Sequence, residues 1–129
     1  MKDYILRKKV ANKYIEFLEN GEVEKVISLF SDKGMVQSPL YGIKKASDFY
    51  NELANDTSNS ELFVKGIFQE EDSSQLALYF TYKWTLKNNE KVMFDVVDII
   101  EFDTQNRIDK LTIIYDTVIA RQLVSQLKN

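Results

Sequence analysis

The sequence predicts an α+β fold in which helices pack on the concave face of a curved, mostly antiparallel sheet. Three observations carry this. Apolar residues recur at three- and four-residue spacing in residues 3–19, 23–30 and 43–54 and again after Asp116, the period of a half-buried helix. Between these segments, Gln75 to Leu86 and Lys91 to Asp103 alternate at period two, as strands with one buried face do. The links between successive strands are also short, so neighbouring strands must run antiparallel.

The stretch Lys91 to Asp103, KVMFDVVDIIEFD, organises the rest. Its even positions are Val92, Phe94, Val96, Asp98, Ile100 and Phe102. Five are apolar and the sixth is an aspartate. A face of that kind is built to be buried. A carboxyl group on it must be neutral, hydrogen-bonded or paired, because an isolated buried charge is too unfavourable.

The elements follow in order. Residues 3–19 read as a helix with the stripe Leu6, Val10, Tyr14, Phe17 and Leu18, ended at Asn20-Gly21. A short second helix carries Val23, Val26, Ile27 and Phe30, and Ser31 to Gly34 reads as a turn. Met35 to Ser38 reads as a short strand stopped by Pro39, the only proline. A third helix is expected from Ile43 to about Ala54, with Ile43, Ala46, Phe49, Tyr50 and Leu53 inward, then a polar loop from Asn55 to Ser60. Four strands follow: Glu61–Glu70, Gln75–Leu86, the organising strand, and Arg107–Tyr115. The last element is a helix from Thr117 to about Lys128, with Ile119, Leu123 and Leu127 at four-residue spacing.

Composition narrows the function. The 129 residues suit one domain with one core. A net charge of −3 without a Lys/Arg-rich block argues against a nucleic-acid partner. No apolar run approaches the ~20 residues of a membrane span, and the N-terminus has no signal-peptide core. There is no cysteine, hence no thiol nucleophile or thiolate metal site, and a cytoplasmic location fits. There is no histidine either. That removes the commonest general base and metal ligand, and with it Ser-His-Asp and Cys-His mechanisms. Any acid–base chemistry falls to Asp, Glu, Tyr or Lys. An all-carboxylate Mg²⁺ or Ca²⁺ site stays open on composition, but with no EF-hand spacing or P-loop neither a metal site nor a cofactor is expected.

Three segments, Tyr14 to Gly42, Gly42 to Leu53 and Asp95 to Asp116, together resemble the NTF2-like superfamily, and within it the SnoaL-like and ketosteroid-isomerase-like proteins. The likeness covers most of the chain and rests on order and spacing. It implies a cone with an apolar interior, but the fold hosts isomerases, cyclases, hydrolases, dehydratases and non-catalytic binders alike. In ketosteroid isomerases a first-helix tyrosine and a strand aspartic acid form an oxyanion hole, and an aspartate before a proline shuttles the proton. Tyr14 and Asp98 match the first two. Ser38 stands at the third position, and a serine with no activating base cannot abstract a carbon-bound proton. In some polyketide-cyclase relatives the acid–base residue comes from the last strand, which makes Asp116 a candidate. Alternation turns it off the face of Leu111, Ile113 and Tyr115, and capping of the last helix is the competing role.

The catalytic candidates are therefore Tyr14, Asp98 and Asp116. The ligand-binding candidates are Ser38, Phe80, Trp84, Val96, Ile100 and Tyr115. For Asp98 and Tyr14, purely structural roles stand beside the functional ones. The expected ligand is a small lipophilic molecule bearing a carbonyl or hydroxyl. The expected activity, if any, is cofactor-independent isomerisation, cyclisation or dehydration; the alternative is a non-catalytic binding or dimerisation module. Val97 and Ile99, with Tyr79 and Thr81, form an apolar centre on the opposite sheet face and point to a homodimer through it.

Overall fold

A computed structural model describes residues 2–128. It is α+β, with one curved, unclosed six-stranded sheet and four helices. The elements run α1 (Lys2–Glu19), α2 (Val23–Ser28), β1 (Phe30–Ser38), β2 (Gly42–Lys45), α3 (Ala46–Asp56), β3 (Thr57–Gln69), β4 (Gln75–Leu86), β5 (Lys91–Phe102), β6 (Ile108–Ile114) and α4 (Val118–Lys128). The strand order is β2-β1-β6-β5-β4-β3. Only β1 and β6 pair in parallel; every other neighbour is antiparallel. Among the described residues no helix is long and apolar enough to cross a membrane.

Alternation places the core as expected. Leu76, Leu78, Phe80, Tyr82, Trp84 and Leu86 of β4 are all buried, and so are Val96, Asp98, Ile100 and Phe102 of β5. The registers Leu78↔Asp98, Phe80↔Val96 and Leu76↔Ile100 bring these rows side by side on the concave face. Tyr14 and Leu18 of α1 meet the same face around a cavity shared with Phe94, Val96 and Asp98.

Four expectations need correction. First, β1 begins at Phe30, where the sequence suggested a helix end and a turn. Phe30 pairs with Ile108, and the register shifts between Phe30 and Met35. The turn formers Ser31 to Gly34 are thus absorbed as an irregularity within a strand. A side chain at Gly34 would not fit there: its β-carbon would lie 2.8 Å from the Phe30 side chain and 3.0 Å from the Ile108 carbonyl oxygen.

Second, Gly42–Lys45 is a strand and α3 starts at Ala46. Pro39 closes β1 and the chain doubles back, pairing Ser38 with Gly42, whose φ of +75° suits glycine. Ile43 is therefore exposed rather than inward. Third, β3 begins at Thr57, inside the expected polar loop. Those polar side chains have partners: Ser60 Oγ and the Tyr82 hydroxyl are 2.8 Å apart, and Trp84 Nε1–H donates to Thr57 Oγ1 at 2.8 Å. Fourth, two helix stripes are rotated from the simple spacing. Leu6 and Ile119 are exposed, while Ala11, Tyr14 and Ile15 of α1 and Ala120 and Val124 of α4 are buried.

Candidate functional site

Asp98 sits at the middle of β5, opposite Leu78 on one side and Ile113 on the other. Both neighbours are apolar, so the sheet supplies no cation to it. Its residue exposure is 1%, and Oδ1 is buried without a hydrogen-bond partner. Burial alone pushes its pKa well above the ordinary carboxylate value. Burial thus favours its neutral carboxylic acid form, which can donate through O–H.

Two tyrosines lie beside it. Tyr14 comes from the buried stripe of α1 and Tyr50 from the buried face of α3; both are fully buried. Their hydroxyls are 2.7 Å apart, and either can donate. Burial raises both pKa values well above 10.0, and the proximity of Asp98 raises each further. Both tyrosines therefore stay protonated through the physiological range. Tyr50 was legible only as a core residue. The rule that a buried tyrosine hydroxyl needs a partner, applied to Tyr14, is the signal that could have found it.

The cavity in front of Asp98 has a volume of about 40 Å³. Of the sequence-predicted residues, Tyr14, Ser38, Phe80, Trp84, Val96, Asp98 and Tyr115 line it, joined by Leu18, Tyr41, Phe49, Leu53, Tyr82, Phe94 and Ile113. Its wall is aromatic. Phe94 stacks on Tyr115 with centroids 4.3 Å apart, Tyr82 stacks on Trp84 at 6.1 Å, and Tyr82 meets Phe94 edge-on at 5.7 Å. Ile100 is buried but does not line the cavity.

Asp116 does not line it either. It is exposed, and its Oδ1 accepts the Val118 backbone N–H at 3.1 Å, holding the start of α4. Ser38 is buried, and its Oγ accepts the Tyr41 backbone N–H at 3.0 Å, bracing the β1–β2 turn. Asp98 is the only carboxylate on the cavity wall among the described residues. Asp56 lies behind it, accepting from the Tyr41 hydroxyl at 2.6 Å and from Lys128 Nζ at 2.8 Å. That pair, with Arg121 donating to the Pro39 carbonyl at 2.9 Å, fastens α4 across one end of the sheet. Chemically, the arrangement offers protonated donors to an oxygen atom inside an aromatic enclosure. Among the described residues it offers no carboxylate besides Asp98.

No protein-family model and no curated protein sequence matches the chain. Solved structures do. An NTF2-like protein of unknown function from Burkholderia pseudomallei superposes with a TM-score of 0.80 at 14% identity, over 92% of this chain and 97% of that one. The fold is NTF2-like. Two further structures share the NTF2-like fold seen here. The epoxide hydrolase/cyclase-like enzyme SalBIII, described as acting in pyran ring formation in the polyether salinomycin, matches with a TM-score of 0.78 at 14% identity, over 90% of this chain and 95% of that one. TerC, co-crystallised with polyporic acid, matches with a TM-score of 0.78 at 13% identity, over 92% of this chain and 98% of that one.

Proposed function

We propose that this NTF2-like chain binds a small, largely apolar molecule through a carbonyl or hydroxyl oxygen, to which neutral Asp98 donates a hydrogen bond. The observation that carries the reading is the buried, unpartnered Oδ1 of Asp98 on the wall of an aromatic cavity. A buried polar group left unpaired is unfavourable by ~1–3 kcal/mol, which a ligand oxygen would relieve. Tyr14 supports the same oxygen when Tyr50 donates to Tyr14, because the Tyr14 proton is then available to the ligand.

One fold neighbour with a role in pyran ring formation and another co-crystallised with polyporic acid agree with a pocket of this kind. As an enzyme, the chain would isomerise, cyclise or dehydrate a lipophilic carbonyl compound by acid–base chemistry without a cofactor. A second reading, binding without catalysis, is favoured by one specific feature: no carboxylate other than Asp98 lines the cavity among the described residues, and Ser38 is occupied in the turn. In either case we propose a homodimer through the convex sheet face. There Val97 and Ile99 are half-buried, and Phe63, Phe68, Met93 and Ile114 are exposed. A patch of this extent on an open sheet face suits self-association.

Calorimetric titration with 2-naphthol, a flat apolar phenol, tests the pocket. Wild type should bind it, and Asp98→Ala, which removes the donor without adding bulk, should bind about tenfold more weakly. Equal binding by both proteins, or no binding by wild type, would refute the assignment.

A further inference from the structure

A second cavity, of about 230 Å³, lies outside the first. It forms where the C-terminal end of α1 and the start of α2 face the end of α3 and the start of β3. Leu18, Leu53 and Tyr82 line both cavities and so form the partition between them.

The two sides of the partition differ in chemistry. The inner side is aromatic. The outer side combines Phe17, Val23, Val26 and Ala54 with the polar Glu19, Asn20, Glu22, Ser58 and Asn59, and no lysine or arginine lines it among the described residues. Its two carboxylates are held at the rim by one oxygen each: Glu19 Oε2 accepts the Leu62 backbone N–H at 2.9 Å, and Glu22 Oε1 lies 3.1 Å from Lys25 Nζ. The partition itself carries polar groups. Ser60 Oγ and the Tyr82 hydroxyl are 2.8 Å apart, and both residues are buried.

The inner cavity, about 40 Å³, must widen by movement of its aromatic wall to admit a bicyclic phenol, and sites for drug-sized ligands span ~300–1,000 Å³. Joined by displacement of the partition side chains, the two cavities approach that lower bound. We propose that the outer cavity is a second subsite for the same ligand. It takes a tail carrying hydrogen-bond donors, a hydroxyl or an ammonium group, and it disfavours an anionic tail. The ligand is thus amphipathic: an apolar body with its oxygen at Asp98, and a polar, non-anionic end at the rim. The inference rests on the inner-site reading given above. An unfavourable charge at the rim acts as a specificity element in its own right.

The test is calorimetry at low salt with four probes: 2-naphthol, 6-butyl-2-naphthol, 6-(4-aminobutyl)-2-naphthol and 6-(3-carboxypropyl)-2-naphthol. In wild type the aminobutyl compound should bind about tenfold tighter than the carboxypropyl compound. Glu19→Gln/Glu22→Gln should cut that preference to about threefold or less while leaving 2-naphthol affinity unchanged. Asn59→Trp, which fills the outer cavity from an exposed strand position, should weaken all three tailed compounds and spare 2-naphthol. Equal binding of the two charged tails in wild type, a preference that survives the double substitution, or tails indifferent to Asn59→Trp would each overturn the second subsite while leaving the inner one standing. Failure of 2-naphthol itself to bind would remove the inner site and this inference with it.

Discussion

The hydroxyls of Tyr14 and Tyr50 lie 2.7 Å apart in the buried core, beside an aspartic acid whose Oδ1 has no partner. Each tyrosine satisfies the other, so truncating one leaves a buried orphan. Tyr50→Phe should destabilise the protein by ~1–3 kcal/mol in urea denaturation, and Tyr14→Phe likewise. The double substitution should fall well short of the sum, because it removes both polar atoms. Strictly additive losses would show that the hydroxyls do not depend on each other.

Stability should depend on pH through Asp98. Its folded pKa is raised by burial, whereas the unfolded value is about 3.9. Below about pH 3.9 the group is neutral in both states and contributes no pH dependence. Above it the unfolded chain releases the proton and the folded chain keeps it. Stability is then lost by up to about 1.4 kcal/mol per pH unit until the folded pKa is reached. Asp98→Asn should remove that slope, so the variant gains on wild type as pH rises above about 4 until the folded pKa is passed. The check is the difference between two urea-derived stability curves across that range. A variant that instead loses ground with rising pH would indicate that Asp98 folds ionised.

Wild type should show little or no conjugation of a β,γ-unsaturated ketone, because Ser38 occupies the position of the proton shuttle and its Oγ accepts the Tyr41 N–H. Ser38→Asp places a carboxylate on the cavity wall beside the donors. It should raise the rate measurably, by about 10²-fold or more over wild type, the lower range of a positioned base. Ultraviolet absorbance of the conjugated product reports it. Fast turnover by wild type would reveal a base outside the residues considered.

Val97→Lys/Ile99→Glu places charges on the convex face without touching the concave core. Wild type should sediment as a dimer at micromolar concentration and the double variant as a monomer of unchanged helix content. A monomeric wild type, or a variant that dimerises equally, would rule out this face as the interface.

The architecture was readable because alternation in β4 and β5 is nearly perfect and their rows pair in register. The errors fall where local chemistry was outvoted by partners distant in sequence. Ser31 to Gly34 looks like a turn until Ile108 pairs beside it. Thr57 to Ser60 looks like a loop until Trp84 and Tyr82 take up its hydroxyls. At the site, the isolation of Asp98 on an apolar strand face was visible, because period two assigns faces without knowledge of the neighbours. Tyr50, Tyr41 and the outer cavity were not, because they depend on how α3 sits over the sheet, and no spacing in the sequence encodes that.

The central claim is that Asp98 is a protonated acid at neutral pH and donates to a ligand oxygen. Infrared difference spectroscopy of wild type against Asp98→Leu measures this directly. At pH 7 the account predicts one carbonyl stretch of a protonated carboxylic acid in wild type, absent from the variant and shifted when 2-naphthol binds. A wild-type spectrum at pH 7 in which Asp98 contributes only carboxylate bands would contradict it.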